Sequence, residues 1–336
     1  MNFRKRNIFL VLFSLLAGVI ILIWLGKVIG WDKIISAFEV FKGWQGVVIV
    51  ALSFLIAIIG NWRWSEILKD KQINIPFWKL FRVYLGGYAI MYLFPIIVLS
   101  GEIFRVFAIV KEEKVPTPKA AASVIIERVL EWTINLLVIF FGLFFLTFKL
   151  SILPVQVLYV FGIALLFFVS VIVFFYSKAL RQKSIISGLV KRFSSKEIGA
   201  QNNIMEIENE VLIFFQPNNF SMQKGLLLSL LRAGAMFLRV WLLIIFLTQI
   251  NIGFVAALSV LGFSYVSSLI PIPTSLGSHE VIQAAAFSSF GLQASVATAF
   301  TMIIRAGEII VSLFGLAFLI KKGFNVMEEK FIIKNN

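Results

Sequence analysis

A chain of 336 residues with 60% hydrophobic and only 14% charged positions is too apolar for an ordinary soluble domain, where about half the residues are apolar. The absence of cysteine and the single histidine exclude disulfides, thiolate chemistry and a Cys/His zinc site. The formal net charge of +14 does not point to nucleic acid, because the basic residues flank apolar runs on one side: 22 Lys and Arg fall in segments expected in the cytoplasm and 4 in segments opposite.

In chain order, residues 8–25 follow Arg4-Lys5-Arg6 and predict an anchoring helix rather than a cleaved signal peptide, since the apolar run is long and lacks a cleavage site. Residues 44–61 return. Residues 84–94 and 102–110 each reach only about half of a hydrocarbon core and predict a re-entrant hairpin from the cytoplasm. Residues 120–147 cross outward and 155–176 cross back to a polar loop, 177–224. Residues 225–249 cross again, 254–270 and 279–290 predict a second hairpin from the outside, and 294–320 return to Lys321-Lys322. The expected fold is an all-α polytopic integral membrane protein. It has about six full transmembrane helices plus two re-entrant half-helix hairpins, in one membrane domain spanning 1–336, with both termini in the cytoplasm.

The two hairpins carry matching sequences. Pro95 with Ser100-Gly101-Glu102 precedes Arg128 and Glu131, and Pro273 with Gly277-Ser278-His279-Glu280 precedes Arg305 and Glu308. Broken hydrophobic segments at corresponding places in two halves mark a transporter binding site. The repeat cores are therefore read as 83–147 and 254–320, inverted relative to one another. Gly101 and Gly277 supply permissive backbone where a helix begins, and Ser100 and Ser278 suit the cap. Glu102 and Glu280 then stand in a first helical turn, beside amides that also favour anions.

Five arginines (105, 128, 232, 239, 305) and five glutamates (102, 127, 131, 280, 308) fall in or beside apolar segments. Each costs about 2.5–3.5 kcal/mol at the centre of a lipid-facing helix, so they are expected to face inward and pair. One reading is structural, with Arg-x-x-Glu pairs locking the bundle. The other is that Arg105, Arg128, Arg305 and Arg239 bind a phosphate through their planar forks. Arg232 also fits a snorkelling residue near a membrane face. His279 and Glu127 are candidates for proton coupling. No nucleotide or Ser-His-Asp motif stands out, and no cofactor or metal is expected.

Pro95 with Gly101-Glu102 and Arg105, Glu127-Arg128, the turn Pro271-x-Pro273-x3-Gly277-x2-Glu280, and Arg305 together resemble the transmembrane family of lysylphosphatidylglycerol synthase. This is a flippase-like membrane domain found alone or fused to a cytosolic synthase. The resemblance covers about residues 8–320, with Ile96–Leu99 and Thr274-Ser275 standing where the family is richer in glycine. It implies translocation of a charged-headgroup lipid, either an aminoacylated phospholipid or a polyprenyl-phosphate-linked lipid, between leaflets of the cell membrane. A lipid-synthesis enzyme is a possible partner. The alternatives are a membrane transferase or accessory subunit of lipid and envelope glycolipid synthesis, and a scaffold that docks a partner through 177–224.

Overall fold

The computed structural model describes residues 31–32, 35, 43–93, 99–150, 155–185, 198–269 and 278–335. The predicted helix at 8–25 and the turns holding Pro95, Pro271, Pro273 and Gly277 lie outside the described residues. Among the described residues every regular element is a helix, and there are ten. They are α1 (Gly43–Asp70), α2 (Phe77–Leu93), α3 (Ser100–Glu113), α4 (Thr117–Leu150), α5 (Val155–Leu180), α6 (Ile198–Phe214), α7 (Phe220–Thr248), α8 (Gly253–Leu269), α9 (Ser278–Ser289) and α10 (Ala294–Asn335).

Local sequence accounts for many of the boundaries. Pro76 and Pro116 stand directly before α2 and α4, and their carbonyls accept from Leu80 and Ala120 at 3.0 Å, so each opens a helix where its missing N–H costs nothing. Asn219 caps α7 by accepting from the Ser221 amide at 2.8 Å. Lys114 and Gln249 end α3 and α7 in the left-handed region, with φ of 53° and 56°. The expected serine cap of α3 is not the one used. Leu99 occupies that position without a side-chain bond, and Ser100 is the first helical residue.

Among the described residues, three helical stretches are long and apolar enough to cross a membrane by length and composition: Gly43–Asp70, Phe220–Thr248 and Ala294–Leu319. Leu166–Leu180 and Gly253–Ser267 are shorter apolar stretches. Helix α4 has 34 residues, about 51 Å at 1.5 Å per residue, and carries Glu127, Arg128 and Glu131 within it. At 14 and 12 residues, α3 and α9 measure about 21 and 18 Å, short of a hydrocarbon core of about 30 Å.

The helix contacts have an internal pattern. Helix α1 packs on α7, α2 on α3, and α8 on α9. The two halves interlock, because α10 packs on α2 and α4 packs on α8. Exchanging α1 with α7, α2 with α8, α3 with α9 and α4 with α10 turns each main contact among these eight helices into another main contact. Small residues permit the closest approaches. A Cβ on Gly101 would stand 2.3 Å from the Gly87 carbonyl oxygen, and one on Gly315 would stand 2.1 Å from that of Leu85. Gly291, by contrast, has open space around it and φ of +72°, so it serves a turn rather than a contact.

The end of the polar stretch 177–224 is built into the body of the protein. Val211, Leu212, Phe214 and Phe215 at the end of α6 bury themselves against Ile67, Ile126 and Leu130. The buried Lys71 reaches the Glu210 carboxylate at 2.8 Å and closes the same corner.

Candidate functional site

Ion pairs inside the bundle form two clusters. In the first, Arg128 on α4 binds Glu102 on α3 through Nη2 and Glu131 through Nη1 at 3.2 Å. Arg232 on α7 donates to the other oxygen of Glu131 at 2.7 Å. Arg105 on α3 donates to Glu127 at 2.6 Å and lies over the rings of Trp64 and Tyr84, 4.9 and 5.1 Å from their centroids. These two cation–π contacts add to the ion pair in fixing Arg105. Arg232, which the sequence also allowed as a snorkelling residue, therefore points into the bundle.

Sequence reasoning missed one member. Arg63 lies just past the predicted span 44–61, on the side expected in the cytoplasm, but α1 continues to Asp70 and buries it at 1% exposure. Its Nη2 donates to Glu127 and Glu131, both at 3.0 Å, and its Nη1 donates to Ser229 on α7 at 3.0 Å. One signal for it was present in the sequence. Ser53 and Arg63 are ten residues apart on α1, as are Ser229 and Arg239 on α7. The structure makes that spacing reciprocal, since Arg239 donates to Ser53 at 3.0 Å. Both serines also return a bond to their own helix, to Ile49 and Gly225, each at 2.8 Å.

The second cluster is smaller. Arg239 binds Glu308 at 3.2 Å, and Arg305 meets both oxygens of Glu280 at 3.2 and 3.4 Å. His279 stands in the first turn of α9 beside Glu280, and Gly277 lies outside the described residues. Gly101 lies within α3 as a contact residue, and its predicted role in a turn gives way to its approach to Gly87.

Two cavities meet at the first cluster. One, of about 70 Å³, lies between α2, α3, α4 and α7, lined by Tyr84, Gly101, Glu102, Arg105, Arg128, Glu131 and Arg232 among others. The second is a groove of about 800 Å³ between α3, α4 and α5. Its walls are apolar, with Ile103, Phe107, Val124, Trp132, Phe168 and Val171 among them, and its only charged residues are Glu102 and Arg128. Those two residues line both cavities. Arg128 is also the most accessible arginine of either cluster, at 31% side-chain exposure. Its Nε, the Nε of Arg232 and the Oε2 of Glu102 are buried without a hydrogen-bond partner.

The sequence profile of the lysylphosphatidylglycerol synthase TM region matches residues 11–315. The chain belongs to this family. A UPF0104 membrane protein of Methanocaldococcus jannaschii is 27% identical over 287 residues, which cover 82% of this chain and 84% of that protein. Membership, together with the apolar helices, makes this a membrane protein.

Proposed function

We propose that this protein is a flippase-like translocator of a charged-headgroup lipid, an aminoacylated phospholipid or a polyprenyl-phosphate-linked lipid. The observation that carries this reading is the junction of the two cavities at Glu102 and Arg128. An amphiphile needs an apolar space for its chain and a charged, water-excluding place for its headgroup, joined end to end. The groove between α3, α4 and α5 has the first property and the arginine cluster the second. Arginine suits the task because its fork matches two phosphate oxygens at once.

On this reading the repeat cores 83–147 and 254–320 are inverted copies in a cell-membrane protein with cytoplasmic termini. The exchangeable helix contacts support the repeat within it. Glu280 and Arg305 are then the counterparts of Glu102 and Arg128, and Arg239 the counterpart of Arg63. His279 is the group placed to carry a coupled proton.

The test is leaflet exchange of a fluorescent anionic lipid in vesicles holding the purified protein. Replacing Arg128 and Glu102 together by Gln removes the cation without stranding its buried carboxylate, and should stop exchange while leaving folded protein in the membrane. Wild-type rates in that variant would sink the proposal. Turnover of a lipid acceptor into product by the purified chain would favour the transferase alternative instead.

A further inference from the structure

The exchange of helices that preserves the contact pattern also carries one set of side chains onto another. Arg63, Glu102, Arg128 and Glu131 correspond to Arg239, Glu280, Arg305 and Glu308. Each set holds two arginines and two glutamates and is electrically balanced. Three charges have no counterpart. Counted from the nearest matched residue on each helix, Arg105 falls opposite Gln283, Glu127 opposite Ile304, and Arg232 opposite Ile56.

All three belong to the first cluster. Arg105 and Glu127 cancel each other at 2.6 Å, which leaves Arg232 as a surplus of one positive charge. It shares Glu131 with Arg63 and Arg128, is 13% exposed, and lines the cavity of about 70 Å³. An unbalanced charge is costly where water is excluded. A cavity of this size has room for several waters or one tetrahedral anion.

We infer that this cavity is a one-sided anion subsite, taking the single negative charge of a phosphodiester headgroup through Arg128 and Arg232, with no equivalent in the second cluster. The lipid tail in this statement rests on the proposed function, whereas the charge argument rests on the cluster alone. A free phosphate shares the same chemistry, so the test must separate the two sources.

The full chain is purified in a maltoside detergent, which carries no phosphate. It is then titrated with short-chain phosphatidylglycerol, with diacylglycerol of the same chains, and with inorganic phosphate. Phosphatidylglycerol should bind at least tenfold more tightly than the diacylglycerol. Arg232→Gln should weaken that binding tenfold or more while leaving diacylglycerol binding unchanged, and Arg232→Lys should restore most of it. Lys224→Gln, which removes an exposed cation of the same helix outside the cavity, should change it less than threefold. Unchanged phosphatidylglycerol binding in Arg232→Gln overturns the inference while leaving lipid binding intact. Equal weakening of diacylglycerol binding in that variant overturns it too, by assigning Arg232 to packing rather than to the phosphate. Binding of phosphate without phosphatidylglycerol keeps the subsite and removes the lipid reading.

Discussion

Glu127 shows how a carboxylate can be held by arginines from two other helices. Arg63 of α1 takes one oxygen and Arg105 of α3 the other, and all three side chains are almost wholly buried. Removing one member of a buried group costs more than the group contributes, because it leaves charge without compensation; about 3–5 kcal/mol is typical. Glu127→Gln should therefore destabilise the protein by roughly that amount, seen as a lower thermal midpoint in detergent. The double change Glu127→Ile with Arg105→Gln, which copies the residues at the matching places of the second half, should recover most of the loss. Equal or additive losses would show that the two residues do not act as a unit. Spacing in the sequence brings out Glu127 and Arg105 as buried charges because both interrupt apolar runs. It does not reveal that they bind each other, since that depends on how α3 crosses α4.

At the scale of elements, the packing of α2 on α3 depends on a backbone contact. Gly87 on α2 and Gly101 on α3 approach so closely that a Cβ on either would collide with the other's carbonyl, at 2.8 and 2.3 Å. A rigid backbone atom cannot turn aside as a side-chain tip does. Gly101→Ala should push α3 away from α2, cost about 1–3 kcal/mol as overpacking does, and displace Glu102 beside it. Gly234 on α7 has nothing within 4 Å, so Gly234→Ala should be neutral or stabilise by up to about 1 kcal/mol through helix propensity. Thermal midpoints of the two variants check the contrast, and similar values would remove the close-approach argument. The helices themselves were largely legible, because apolar runs and flanking prolines mark them directly. Their ends were less so. Helix α1 runs on through Arg63 to Asp70, since Arg63, Glu66, Leu68 and Lys69 are good helix formers and packing buries Arg63, Trp64, Ile67 and Leu68. Reading those residues as a loop hid Arg63.

At the scale of the whole molecule, the two halves share a scaffold and differ in charge and in what lies beside them. The reciprocal bonds Arg63–Ser229 and Arg239–Ser53 tie α1 to α7 at the centre of both halves. Helix α5 then adds Phe168, Val171 and Ile172 as the third wall of a groove beside the first cluster. Sequence spacing brings out the matching charges but not this groove, which arises from where α5 rests against α4. If the groove holds a lipid chain, filling it from both walls should block transport without touching a charge. Ala121→Trp on α4 and Val171→Trp on α5 place two indoles in the space while leaving Arg128, Glu131 and Arg232 in place. The double variant should lose at least tenfold in leaflet exchange of a long-chain anionic lipid, yet bind inorganic phosphate as the wild type does. The effect should also shrink as the chain is shortened, because a short tail needs less of the groove. A wild-type exchange rate for the long-chain lipid would mean that the chain travels elsewhere, and the groove would lose its part in the mechanism.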